Sequence, residues 1–166
     1  MDRAPTPPID ADLVSKLCLA CGLCCAGALF THVTLSAEEV ARLRALGVRV
    51  RKKRNGAVVL PLGCSALEGA RCSVYDGRPA GCRAFVCEVG RALEGRALTL
   101  EAALAEVREA QRLIEAVAAE LPAGVEHQGA SPLQVAQRHG LVNGPGPLRA
   151  AQAYLRGHFL EPRAAP

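Results

Sequence analysis

The sequence predicts a helix-rich α+β domain: a small cysteine-bearing lobe with a short β-hairpin over residues 1–95, packed against a helical segment over residues 96–166 of the same domain. Three observations predict it. All eight cysteines lie at or before Cys87. The same stretch carries short strand-like runs separated by turn residues. Beyond it the chain is alanine-rich, free of cysteine and apolar at helical spacing. A chain of 166 residues suits one domain, and aromatics make up only 3% with no Trp, so Ala, Leu and Val must build the core.

Each element has its own signal. Asp10 can cap a short helix through Leu17 that delivers the chain to Cys18. Ser36-Ala37-Glu38-Glu39 forms a capping box, Val40, Leu43 and Leu46 follow at helical spacing, and Gly47 ends that helix. The runs Val48–Arg54 and Ala57–Leu60 flank Asn55-Gly56, the strongest short hairpin signal, and the hairpin returns the chain to Cys64. Thr99 caps a helix reaching Leu121, with Leu100, Leu104, Val107, Ile114, Ala118 and Leu121 predicted on one face. Ser131-Pro132 opens another helix, which Gly140 closes after His139. After the Gly144-Pro145-Gly146-Pro147 break, a last helix carries Leu148, Ala151, Leu155 and Phe159. These helices read as support that packs against and shields the cysteine lobe.

The cysteines carry the chemistry. Cys18, Cys21, Cys24 and Cys25 crowd together, and Cys64, Cys72, Cys82 and Cys87 follow. The first residues show no basic region leading into an apolar run, and no stretch of about 18 uninterrupted apolar residues exists, so the expected compartment is the reducing cytoplasm, with no membrane span. There, clustered thiols bind metal or do redox chemistry rather than form disulfides. A Cys-x2-Cys spacing aims two sulfurs at one metal, and Cys18/Cys21 and Cys21/Cys24 both have it, with Gly22 relieving the turn. Adjacent Cys24 and Cys25 are harder to place on one ion. They serve two metals, or one of them bridges. Eight thiolates therefore suggest either two four-ligand sites or one multinuclear cluster.

Familiar alternatives fail. The ferredoxin run C-x2-C-x2-C-x3-C-P matches for three cysteines, and then Cys25 is adjacent and no proline follows. Gly22 after Cys21 excludes a haem-attachment motif, and no βαβ pattern surrounds Cys18/Cys21 to support a thioredoxin-like site.

One family does fit. Cys18-x2-Cys21-x2-Cys24-Cys25, Leu35-Ser36-Ala37-Glu38-Glu39, Cys64, and the block from Arg71-Cys72-Ser73-Val74-Tyr75 through Arg78-Pro79 to Cys82-Arg83-Ala84-Phe85 resemble the CxxCxxCC, or YkgJ-type, cysteine-cluster proteins. The resemblance covers roughly residues 15–90 and rests on three ordered blocks. It implies a zinc- or iron-chelating domain, holding either zinc or an iron–sulfur cluster. A similar cysteine domain occurs in flagellin lysine methylases, but no Gly-rich nucleotide loop follows a strand here. With the Cys24-Cys25 pair, which suits a multinuclear site, the resemblance tilts the expectation toward iron–sulfur. Cys18, Cys21, Cys24 and Cys25 are the expected core ligands, completed by some or all of Cys64, Cys72, Cys82 and Cys87.

Arg71, Arg78 and Arg83 are candidates to stabilise the thiolates and donate hydrogen bonds around the centre, against the plain alternative of surface arginines. Tyr75 reads as a core residue beside them. His32 is the one candidate nitrogen ligand, with a solvent-facing role favoured because the cysteines already suffice; His127, His139 and His158 lie away from the motif. Arg49 to Arg54 holds five cations in six positions, which invites a nucleic-acid reading. The scarcity of aromatics argues against it, and such a run more often keeps a hairpin edge soluble. An acidic partner stays open as the alternative. No Ser/His/Asp set, supported carboxylate pair or phosphate loop is present, so an oxidoreductase activity would have to be the metal's. Three roles survive: a redox or regulatory iron–sulfur protein, a structural zinc module that binds a protein partner, and a metal-handling protein.

Overall fold

The computed structural model describes residues 11–125, 129–141 and 146–163. Asp10, His127 and the Gly144-Pro145 step lie outside these residues. Helix α1 (Ala11–Cys21) does not stop at Leu17. It runs one turn further, because Leu13, Leu17 and Cys21 recur every four residues and all face the same core. The chain then passes β1 (His32–Thr34) and enters α2 (Ala37–Ala45). The predicted capping box is present: the Glu39 amide donates to Ser36 Oγ at 3.2 Å, and the Ser36 amide donates to Glu39 Oε2 at 2.8 Å. Gly47, at φ +72°, ends the helix as expected.

Strands β2 (Arg51–Lys52) and β3 (Val58–Pro61) form the expected antiparallel hairpin, pairing Arg51 with Val59 and Lys52 with Val58. Its loop is wider than a two-residue turn. The Lys53 amide donates to the Ala57 carbonyl, and the Gly56 amide closes back on Lys53. The sequence did not signal β1, which pairs with the other edge of β3, Val33 opposite Leu60, to give the order β1-β3-β2. Three residues are too few to show a period. A second small hairpin joins β4 (Leu67–Glu68) to β5 (Arg71–Cys72).

Two further short helices were not legible, α3 (Ala80–Ala84) and α4 (Glu88–Glu94). Helix α4 is capped by Cys87, whose sulfur accepts from the Gly90 amide at 3.4 Å, and cysteine is not a usual capping residue. Helix α5 (Leu100–Ala119) starts at Thr99 as predicted. Its buried face is rotated from the predicted one: Ala103, Val107, Ala110 and Val117 are inside, while Leu100, Leu104 and Ile114 are only partly covered. The reason is that α5 packs on α1 and α4 and also on α6 (Pro132–Arg138) and α7 (Pro147–Leu155), and alanines along the central line let those backbones approach. Helix α6 is capped by Ser131 and closed at Gly140 as predicted. Helix α7 runs on through a π-turn, Arg156–Leu160, and Leu148, Ala151, Leu155 and Phe159 are all buried.

The apolar interior falls into two clusters. One, helical, gathers Leu17, Leu23, Val89, Val107, Val117, Leu155 and Phe159. The other gathers Leu35, Leu43, Val48, Leu60 and Ala66 between α2 and the three-stranded sheet. Among the described residues no helix is long and apolar enough to cross a membrane. Phe159 is fully buried in the helical cluster and also lines the cavity where the two clusters meet. Phe159→Ala is expected to lower stability by about 3–5 kcal/mol, read as an earlier urea midpoint with unchanged slope.

Candidate metal centre

All eight cysteines line one cavity of about 120 Å³ at the junction of the two apolar clusters. All eight are free thiols. Cys18 and Cys21 stand one helical turn apart at the end of α1, so both project from the same side of the helix. Gly22, at φ +64°, reverses the chain. A side chain there would meet the Ala70 backbone at 3.0 Å, so this glycine is needed both for its conformation and for close approach to the β4–β5 turn. Cys24 and Cys25 follow on the loop. The Cys25 carbonyl accepts from the Cys64 amide at 2.8 Å, joining the loop to the chain leaving β3. Cys72 lies across from Leu67 in the β4–β5 hairpin, Cys82 sits within α3, and Cys87 caps α4.

The helical half holds this loop through polar side chains. Gln134 on α6 shares its two amide N–H groups among the carbonyls of Gly27 (2.9 Å), Leu62 (3.1 Å) and Phe30 (3.3 Å). Buried Ser131 also donates to the Gly27 carbonyl, at 3.0 Å. Gln111 on α5 donates to the Cys21 carbonyl at 3.3 Å, serving an end of α1 that has no further helical partner. Sequence reasoning missed both glutamines and gave Ser131 only its capping role, because a side chain on a helix carries no sign of the loop it will meet. Glu39 is a further anchor. While closing the box on α2, its other oxygen accepts from the Ala80 amide at 2.6 Å, fixing the start of α3 and with it Cys82. That bond also holds the Glu39 carboxyl below its ordinary pKa.

Apart from the thiols, the cavity wall is apolar except for Arg78. Phe30 and Phe85 meet edge to face at 4.8 Å in that wall. Burial is the main cause that pushes the thiols up: Cys21 and Cys25 from 9.0 to about 12 and Cys82 to about 11, with Cys18, Cys24, Cys64 and Cys87 also raised. The thiols also act on one another, and they do so in two groups. Cys87 raises Cys18, Cys21 and Cys24, and Cys18 raises Cys21 and Cys24; Cys64, Cys72 and Cys82 raise Cys25, while Cys72 also raises Cys64 and Cys82. Cys25 also reaches Cys21 and Cys24, so the groups adjoin. No three His, Cys, Asp or Glu side chains among the described residues stand ready as a cage for one ion. The two observations are compatible, because charges interact across distances far beyond the about 2.3 Å of a zinc–thiolate bond.

The three candidate arginines separate. Arg78 lines the cavity, and its charge favours the ionised forms of Cys18, Cys25 and Cys82. Its guanidinium lies 3.4 Å over the Tyr75 ring, and its Nε donates to the Tyr75 carbonyl at 2.8 Å. Arg83 is exposed and acts on Arg78 instead, its Nε donating to the Arg78 carbonyl at 2.9 Å. Arg71 is exposed on β5 and lies outside the cavity wall. Arg49, read in the sequence only as part of the basic run, favours the ionised form of Cys64. His32 is not brought to the cysteines; its ring nitrogens meet Thr31 Oγ1 and Lys53 Nζ, both at 2.8 Å.

A half-buried, apolar pocket walled by eight free thiols and one arginine is a fitting host for a thiophilic metal, since the metal would displace the thiol protons that desolvation otherwise retains. The family comparison decides the matter. A family model described as "CxxCxxCC: Putative zinc- or iron-chelating domain" matches residues 17–107, more than half of the chain. This chain belongs to the CxxCxxCC family. The match takes in every cysteine and reaches the first turns of α5, ending before Gln111. No curated protein and no solved structure matches the chain.

Gln134→Ala is expected to lower stability by about 1–3 kcal/mol, since it leaves three loop carbonyls short of a donor. Urea denaturation measures it, with amide exchange showing that the loss is centred on the cysteine loop. The metal-free protein has its own pH dependence. Its thiols hold protons more tightly folded than unfolded, so below about pH 9 they contribute no slope. Between about 9 and 12 the unfolded chain ionises first, and stability falls. The urea midpoint of chelator-stripped protein should therefore drop steadily above pH 9; a flat profile would contradict the buried-thiol arrangement.

Proposed function

We propose that this is an iron–sulfur protein with a redox or regulatory role, in which the eight cysteines supply the ligands. The observation that carries the reading is the convergence of eight free thiols on one apolar cavity. Membership of a zinc- or iron-chelating family supports the metal. Two features suit a cluster better than a single closed zinc ion. Cys24 and Cys25 are adjacent and hard to place on one ion, which suits a multinuclear site. The wall around the thiols is also apolar, with Leu17, Leu23, Leu60, Phe30 and Phe85, and an apolar surround tunes a cluster's potential.

A bound cluster supplies reversible one-electron transfer. The chain's own residues would hold it, exclude water from it and offset its negative charge through Arg78, which Tyr75 and Arg83 keep in place. Free thiols throughout suit a reducing compartment, the cytoplasm. The exposed Arg51, Lys52 and Arg54 at the hairpin offer an acidic protein partner a place to dock.

The test is metal and acid-labile sulfide content, with a visible spectrum, on protein purified anaerobically without a metal-affinity tag. Brown protein with iron and sulfide in matching amounts is the expected result. Colourless protein carrying zinc alone would overturn the redox reading and leave a structural module.

A further inference from the structure

We propose that the eight cysteines make two separate four-thiolate centres, one of Cys18, Cys21, Cys24 and Cys87 and the other of Cys25, Cys64, Cys72 and Cys82, so that the Cys24–Cys25 peptide bond links them. The inference rests on the metal-binding reading above and adds the number of centres and the ownership of each ligand.

The scaffold groups the thiols this way, with α1 touching the other group only where it meets β5, the strand of Cys72. Cys18 and Cys21 end α1, Cys87 begins α4, and α1 and α4 pack directly against each other. Cys21 and Cys87 also rest on the helical apolar cluster. The other group belongs to the sheet side. Cys64 and Cys82 rest on the cluster between α2 and the sheet. Cys25 is tied to Cys64 by the 2.8 Å backbone bond, and the Leu67 amide in turn donates to the Cys64 carbonyl, which sets the β4–β5 hairpin carrying Cys72. Outside the loop that holds Cys24 and Cys25, no single helix or hairpin contributes to both groups.

Chemistry favours division as well. Neighbouring side chains leave the backbone in different directions, so Cys24 and Cys25 serve two centres with less distortion than one. Four-thiolate centres are negatively charged, and Arg78 lines the cavity that both groups share. It therefore stands where it can offset the repulsion between two adjacent anionic centres.

The test compares paired substitutions. C18S/C87S and C64S/C82S each fall within one proposed centre, and each should lower bound metal to about half the wild-type content. C18S/C64S spans both and should remove nearly all of it. Equal losses from all three pairs would overturn the division and indicate one shared centre. Native mass spectrometry of the wild-type protein, stripped in stages with a chelator, gives the answer without any variant. A half-loaded species is expected, and loss of all metal in one step would overturn the proposal. Wild-type protein that binds no metal at all would instead overturn the metal-binding reading, and this inference with it.

Discussion

Placing eight thiols in an apolar cavity at the junction of two hydrophobic clusters is the constraint on which the rest of the structure depends. Uncharged, the thiols behave as small hydrophobes and pack with Leu17, Leu60 and Phe159. Ionised, they would be desolvated charges with one arginine in the cavity wall to answer them, and burial accordingly holds their protons in place. The cavity is thus at rest only when the thiols are protonated or when a cation takes the protons' place. A zinc- or iron-chelating family is where such an arrangement belongs.

Holding that cavity open falls to groups outside it. The cysteine loop makes a hydrogen bond with the strand exit through Cys64, and three polar side chains from α5 and α6 hold its carbonyls from the opposite side. Carbonyls on a loop that has no ladder of its own must find donors, or pay in lost hydration. Gln134 meets this need at three points, across 72 to 107 residues of sequence separation. The helical half therefore does more than shield the cysteines. It fixes the shape of the segment that presents four of them.

Much of the fold was legible because its signals are local. The Ser36 and Thr99 caps, the Ser131-Pro132 start, the glycine stops at Gly47 and Gly140, and the hairpin around Asn55-Gly56 all appear where the sequence places them. Elements that lack a local signal were not found. Strand β1 has three residues, α4 is capped by a cysteine, and α1 gains its last turn from packing against α4 and α5. The rotated face of α5 has the same origin. Leucines marked the stripe in the sequence, but neighbours on several sides selected the alanine line as the point of closest approach.

The candidate site divides along the same boundary. Residue type and spacing alone determined that this is a thiol-rich, metal-chelating chain, because Cys-x2-Cys-x2-Cys-Cys fixes the donor chemistry whatever the fold around it. Which thiols are neighbours was decided only by tertiary structure. Cys87 lies 63 residues from Cys24 and Cys64 lies 39 from Cys25, and no local pattern encodes those meetings. The same holds for the arginines: Arg71, Arg78 and Arg83 look alike in sequence, and only Arg78 is carried into the cavity, stacked on Tyr75. Donor identity is a property of side chains and can be read one residue at a time. Proximity is a property of packing, set by how two apolar clusters close on each other.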